Sequence, residues 1–132
     1  MTMGFSTTLR NAMLDQITSQ AGASALLSIY SGTRPATGGA LSGNTLLAQL
    51  TCNATFAPAS SGGVLTLNSI ASVAAAATGT ATWARLTKSD GTTFVADFSV
   101  GTSGTEVIMA TTSITSGATV SVTSATVTAG NA

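Results

Sequence analysis

Eight formally charged side chains and one thiol carry most of the chemistry this 132-residue sequence could perform. The carboxylates are Asp15, Asp90, Asp97 and Glu106. A glycosidase needs two carboxyl groups facing each other across roughly 5 to 9.5 Å. Asp97 and Glu106 are the pair that neighbouring strands would bring together. The competing use of Asp97 is an ion pair with Arg85. Cys52, in Leu50-Thr51-Cys52-Asn53, needs an activating base to act as a nucleophile. With no His in the chain, the available base is Lys88, beside a turn where a solvated lysine is expected. Cys52 is therefore read as a small buried hydrophobe. The absence of His also removes His-based triads and His metal sites. No Asp/Asn-rich loop suggests calcium. The Gly-rich stretch Gly32 to Gly43 lacks the phosphate-binding pattern of a P-loop. The expectation is a protein that is not an enzyme, with no catalytic, metal or cofactor site.

The segment Thr80 to Ser99 must position Arg85 and Asp97. Asp90-Gly91 is a strong hairpin signal, because a type I′ turn needs positive φ at both central residues. A two-residue turn pairs Trp83 with Phe98 and Arg85 with Ala96. It places Trp83, Phe94 and Phe98 on one face as a hairpin core. A longer loop with a bulge pairs Arg85 with Asp97 and separates Trp83 from Phe98. Aromatic burial outweighs a surface ion pair worth about 0 to 1 kcal/mol. The first register is therefore expected, with Arg85–Asp97 as the ion pair of the second.

The first 22 residues have a different rhythm. Phe5, Leu9, Met13 and Ile17 recur every four residues, predicting one amphipathic helix within about Ser6 to Gln20 whose stripe packs on the chain's own sheet or meets another subunit. Ser6 or Thr7 caps its start and Gly22 ends it. Arg10 and Asp15 sit at the wrong ends for the helix dipole and are read as a solvated pair. From Ala25 onward, short runs rich in Thr, Val and Ile alternate with Gly and Ser clusters. The strands expected are Ala25 to Ser31, Thr45 to Thr51, Gly63 to Ser69, Thr80 to Thr87, Thr92 to Ser99, Thr105 to Thr111 and Thr119 to Thr128. Gly32 to Gly43 reads as a surface loop. Ile70 to Thr78 is open between a helical turn and a strand. The fold class is mainly β, an antiparallel, jelly-roll-like sandwich or barrel of seven to eight strands with one N-terminal helix. Residues 1–22 (helix) and 23–132 (sandwich) form a single domain.

Composition narrows the function classes. Charged residues make up 6%, against about 25% in an ordinary soluble domain. Net charge is zero, without the basic footprint of a nucleic-acid binder. The longest aliphatic run, Val73 to Ala77, is far short of the roughly 20 residues that span a bilayer. The N-terminal residues lack the pattern of a secretory signal, so none is expected. A single Cys makes no internal disulfide. Thr, Ser, Gly and Ala account for 79 residues, so the surface is hydrated mainly without charge. A surface with so little charge is expected to be covered in an assembly.

The order of several segments supports that expectation. They are Thr7-Thr8-Leu9-Arg10-Asn11-Ala12-Met13-Leu14-Asp15, Leu27-Ser28-Ile29-Tyr30-Ser31-Gly32 followed by Arg34-Pro35, Leu46-Leu47-Ala48, and Trp83-Ala84-Arg85-Leu86 leading to Asp90-Gly91-Thr92. Val100-Gly101-Thr102-Ser103-Gly104 and Thr126-Val127-Thr128-Ala129-Gly130-Asn131 complete the series. In this order the chain resembles a family of small structural proteins of tailed-phage virions, although it is richer in Ala and poorer in charge. The resemblance implies a β-rich particle component, decorating or cementing the head or placed at the neck or tail. Its partners would be other copies of itself and other virion proteins, with no nucleic acid or membrane. It would be made in the bacterial host cytoplasm and would reside in the virion. The competing class is a carbohydrate-binding adhesin module, which would use Trp83 and Tyr30 as exposed stacking rings.

Overall fold

A computed structural model describes residues 4–129. The expected helix is present as α1 (Thr7–Ala21). The Ser6 hydroxyl accepts a bond from the Leu9 amide at 3.1 Å, and Gly22, at φ 71°, donates its amide to the Thr18 carbonyl. This satisfies one orphan donor and one orphan acceptor at the two helix ends.

The stripe does not pack on the body as one face. Leu9 and Met13 are 45% and 41% exposed, while Leu14 and Ala21 are buried and Ile17 is partly packed against the core. Phe5 is half-buried. A strict four-residue repeat drifts by about 40° per step around a helix of 3.6 residues per turn, so Phe5 to Ile17 winds around the helix rather than marking one face. Polar anchors complete the explanation. The Asp15 carboxylate accepts the Ser60 amide at 2.8 Å, and the Asn11 side-chain oxygen accepts the Gly63 amide at 2.9 Å. The Asn11 carbonyl accepts the Ser60 hydroxyl at 2.8 Å. Leaving such turn amides unpaired in a partly buried position costs about 1 to 3 kcal/mol each. The helix therefore turns its polar residues toward the body. Arg10 follows, bonding the Ala129 carbonyl and the Thr7 hydroxyl. Arg10 and Asp15 are structural clamps, which corrects their reading as a solvated pair.

Seven strands form the main sheet: β1 (Leu26–Tyr30), β2 (Leu46–Thr51), β3 (Val64–Thr66), β6 (Trp83–Thr87), β7 (Phe94–Gly101), β8 (Val107–Met109) and β11 (Val122–Thr128). Their order is β2-β1-β6-β7-β8-β11-β3. Two small ribbons accompany it. One pairs β4 (Val73–Ala74) with β10 (Thr119–Val120); the other pairs β5 (Gly79–Thr80) with β9 (Ser113–Ile114). The open stretch Ile70 to Thr78 thus contributes a strand. The fold is mainly β and sandwich-like, with α1 as the single α-helix among the described residues. The sheet is mixed: β7 and β8 run parallel over Val100–Val107 and Gly101–Ile108, and every other pairing is antiparallel. Parallel strands usually need a crossover of a dozen or more residues. Here a short loop suffices because only two residue pairs are made.

One face of the sheet holds the core. Leu27, Ile29, Ala48, Leu50, Ala84, Leu86 and Phe98 are buried there and occupy matched cross-strand positions. Leu14 and Ala21 of the helix, Phe56, Ala75, Ile114 and Val120 belong to the same cluster. The second layer therefore consists of the helix, the segment around Phe56 and the two ribbons.

Candidate interaction surface

The hairpin through Asp90-Gly91 joins β6 to β7 as expected, but its register is not the expected one. Trp83 pairs with Ser99, Ala84 with Phe98, Arg85 with Asp97 and Leu86 with Ala96; next to the turn, Thr87 pairs with Phe94. Pairing starts in the register of a two-residue turn and shifts by one at a bulge that leaves Val95 over. Asp90 keeps a negative φ, and Gly91 alone takes the left-handed conformation, at φ 75°. The turn is closed by the Gly91 amide on the Lys88 carbonyl and the Lys88 amide on the Thr93 carbonyl. The Asp90 carboxylate accepts the Thr92 and Thr93 amides and the Thr93 hydroxyl. These bonds, that to the Thr93 hydroxyl first, pull its pKa down to about 2.

The shift sends Trp83 and Phe98 to opposite faces, which corrects the expected hairpin core. Phe98 enters the main core. Trp83, 1% exposed, stands outside that cluster on the other face. Phe94 is 37% exposed. The physical reason is that this second face is also dry. Tyr30 stacks on Trp83 at 4.8 Å between ring centroids. The Arg85 guanidinium lies 5.1 Å from the Trp83 ring and 5.3 Å from the Phe94 ring. Such contacts contribute about 0.5 to 2 kcal/mol each. The Asp97 carboxylate holds Arg85 by two bonds, at 2.8 and 3.1 Å, and accepts the Gly38 amide at 3.1 Å. The loop Gly32 to Gly43 thus crosses this face, and Gly38 lies so close to Phe94 that a Cβ there would meet its ring at 3.2 Å. The bulge reconciles both alternatives: Arg85 keeps its aromatic neighbours and gains Asp97. Bonding to Asp97 raises the Arg85 pKa further. The Arg85–Asp97 ion pair is the candidate pair named from sequence.

The remaining chemical groups are held internally. Glu106 accepts the Ser99 amide at 3.1 Å and the Ser99 hydroxyl at 3.0 Å. Asp97 and Glu106 do line one open groove of about 470 Å³, with Gly104, Thr105, Thr126 and Thr128. Each carboxylate there is already bonded to protein donors. Cys52 is buried, and desolvation pushes its thiol up to about 11. No group of three or more potential metal ligands occurs among the described residues, and no helix among them is long and apolar enough to cross a membrane.

A pattern missed from the sequence joins these details. All four carboxylates accept backbone amides: Asp15 from Ser60, Asp90 from Thr92 and Thr93, Asp97 from Gly38, Glu106 from Ser99. Among the described residues, the charged side chains without a hydrogen-bonded partner are Arg34 and Lys88. The large apolar side chains facing out are Leu9, Met13, Leu41, Leu46 and Phe94. Phe94 borders a groove of about 250 Å³ shared with Gln16, Ile17 and Gln20 of α1. What the surface offers a partner is apolar and hydroxyl contact with little charge. Comparison with protein-family profiles, with curated proteins and with solved structures finds no match.

Proposed function

We propose that this chain is a structural component of a tailed-phage particle that decorates or cements the capsid in many copies. A place at the neck or tail is the alternative within the same reading. The observation that carries it is the distribution of charge. Six of the eight charged side chains are bound to the protein itself, so the exterior approaches a neighbour with little repulsion and little desolvation cost. A protein working alone normally keeps mixed surface charge to stay dispersed. The resemblance of the ordered segments to virion structural proteins points the same way. The adhesin reading loses its main support, because Trp83 is buried between Tyr30 and Arg85 and offers no open face to a sugar.

The test is to probe gradient-purified particles with antibody against the chain and to locate the label by electron microscopy. Regular labelling of the particle supports the proposal. A chain absent from particles and monomeric at high concentration refutes it.

A further inference from the structure

Asp90 is the one carboxylate of the sequence that is followed by glycine; Asp15 precedes Gln16, Asp97 precedes Phe98 and Glu106 precedes Val107. An aspartate in this position can modify itself. The amide nitrogen of the next residue attacks the side-chain carboxyl carbon. A C–N bond forms, the C–OH bond breaks, and the hydroxyl leaves as water with the amide proton, closing a five-membered succinimide. Water then adds to the ring at the former main-chain carbonyl, whose C–N bond breaks. The product is isoaspartate, in which the main chain runs through the side-chain carbon and the old main-chain carbonyl has become the free carboxylate. The two steps lose and regain one water, so no other reactant is needed. Glycine as the second residue favours the attack, because no Cβ stands beside the approaching nitrogen. Ser89, Asp90, Gly91 and Thr92 are all exposed, so water reaches the turn.

We propose that Asp90-Gly91 is a latent self-modification site, and that the hydrogen bonds of its turn hold the reaction off while the chain is folded. Both reacting groups are engaged elsewhere. The Gly91 amide donates to the Lys88 carbonyl at 3.0 Å, so the proton that must leave the nitrogen is committed to the turn. The Asp90 carboxylate accepts the Thr92 and Thr93 amides, each at 2.9 Å, and the Thr93 hydroxyl. Swinging its carbon onto the Gly91 nitrogen gives up these bonds. They also keep the carboxyl ionised, with its pKa lowered to about 2. Ring closure needs the neutral acid, since an ionised carboxylate repels a nucleophile and has no hydroxyl to lose. The clasp at Asp90 therefore guards the covalent chain as well as the turn. Isoaspartate adds one main-chain carbon inside the loop closed by the Lys88 amide on the Thr93 carbonyl, next to the first β6–β7 pair, Thr87 with Phe94. Opening the turn exposes the site, and modification weakens the closing of the turn. This holds whether or not the chain works in a particle.

The experiment incubates the purified full chain at one temperature and neutral pH, once folded and once in guanidinium chloride. Isoaspartate is counted by enzymatic methylation of its carboxylate and placed by the loss of cleavage at Asp90 by an Asp-specific protease. The unfolded chain should gain isoaspartate at Asp90 at least about tenfold faster than the folded one, the worth of losing one charge-assisted bond. Asp15 and Asp97, which no glycine follows, are internal controls and should lag behind in the unfolded chain. Gly91→Ala, read in denaturant where its strain in the folded turn has no effect, should slow the reaction several-fold. Thr93→Val removes the hydroxyl bond and should raise the folded rate about tenfold, whereas Thr93→Ser keeps the bond and should match the wild type. Circular dichroism and Trp83 emission check that both variants are folded, and the wild-type comparison depends on neither. Equal rates in the folded and unfolded wild type overturn the protection, as does a folded Thr93→Val that is as slow as the wild type. An unfolded chain that forms no isoaspartate at Asp90 overturns the site itself.

Discussion

Removing the Asp97 carboxylate tests the physics of the second face most directly. Asp97→Ala deletes both bonds to Arg85 and the bond from the Gly38 amide. The Asp97 side chain is 3% exposed and that of Arg85 14%. Breaking a fully buried pair by removing one partner costs about 3 to 5 kcal/mol, and an exposed pair about 0 to 1. Arg85 retains some access to water and two aromatic neighbours, so the lower part of the buried range applies: about 3 kcal/mol. For a domain of this size each kcal/mol shifts Tm by about 4 °C, so Tm should fall by about 12 °C. Urea unfolding gives the free energy, and Trp83, the sole tryptophan, reports on the site through its emission. Its ring is 5.1 Å from the Arg85 guanidinium, so loosening of this cluster should shift the emission to the red before global unfolding. The pair Arg85→Met with Asp97→Leu should recover much of the loss, because apolar replacement of both partners avoids a stranded charge. A loss below about 1 kcal/mol for Asp97→Ala would show the pair to be a solvated surface contact and refute the reasoning.

Three further outcomes follow from the same geometry. Leu14→Ala should destabilise by about 2 to 5 kcal/mol in chemical denaturation, whereas Leu9→Ala should change stability by less than about 0.5 kcal/mol; equal effects would contradict the observed rotation of α1. Cys52 should be inert to an aromatic disulfide reagent at pH 8 in the native protein and react on unfolding, since its thiol is buried and pushed up to about 11. The Asp90 carboxyl is lowered from 3.8 to about 2 in the folded chain, so the stability it contributes is full above about pH 4 and is lost as pH falls through about 2. Asp90→Asn should flatten the acid limb of a stability–pH curve between those values, and an unchanged limb would show the turn bonds to be unimportant.

Much of the fold was readable from local signals. Ser6 and Gly22 marked the helix ends because capping chemistry depends on a few neighbouring residues. Strand positions followed β-branched runs for the same reason. The rotation of α1 was not readable, because it is set by the amides of Ser60 and Gly63, about 50 residues away. The ribbons β4–β10 and β5–β9 have two-residue strands, too short for any periodicity to show. The hairpin register failed for an instructive reason. Weighing aromatic burial against an ion pair assumed that only one face of the sheet was dry. Gly32 to Gly43 was recognised as a loop, but nothing in its composition showed that it would fold across the Arg85 face. With both faces covered, Trp83 and Phe98 are each buried without sharing a side.

The sparse charge then has a structural explanation as well as a functional one. A chain rich in Thr, Ser, Gly and Ala has many loops and few large side chains to pin them. A charge-assisted bond contributes about 1.5 to 3 kcal/mol where a neutral one contributes about 1. Placing each carboxylate on the amides of a loop or turn therefore fixes backbone that packing alone would leave loose. Arg85 does the same for Asp97, and Arg10 for the segment at Ala129. Apart from Asp90, which stays exposed in its turn, the clasping charges are at least partly withdrawn from the exterior. The outside is left to hydroxyls, small side chains and a few apolar residues, Leu9 and Met13 foremost on the helix. Such an exterior meets water through hydroxyl and apolar groups far more than through charge. The same six residues, Arg10, Asp15, Arg85, Asp90, Asp97 and Glu106, therefore link how the loops and turns are held to why so little charge is left over for the exterior.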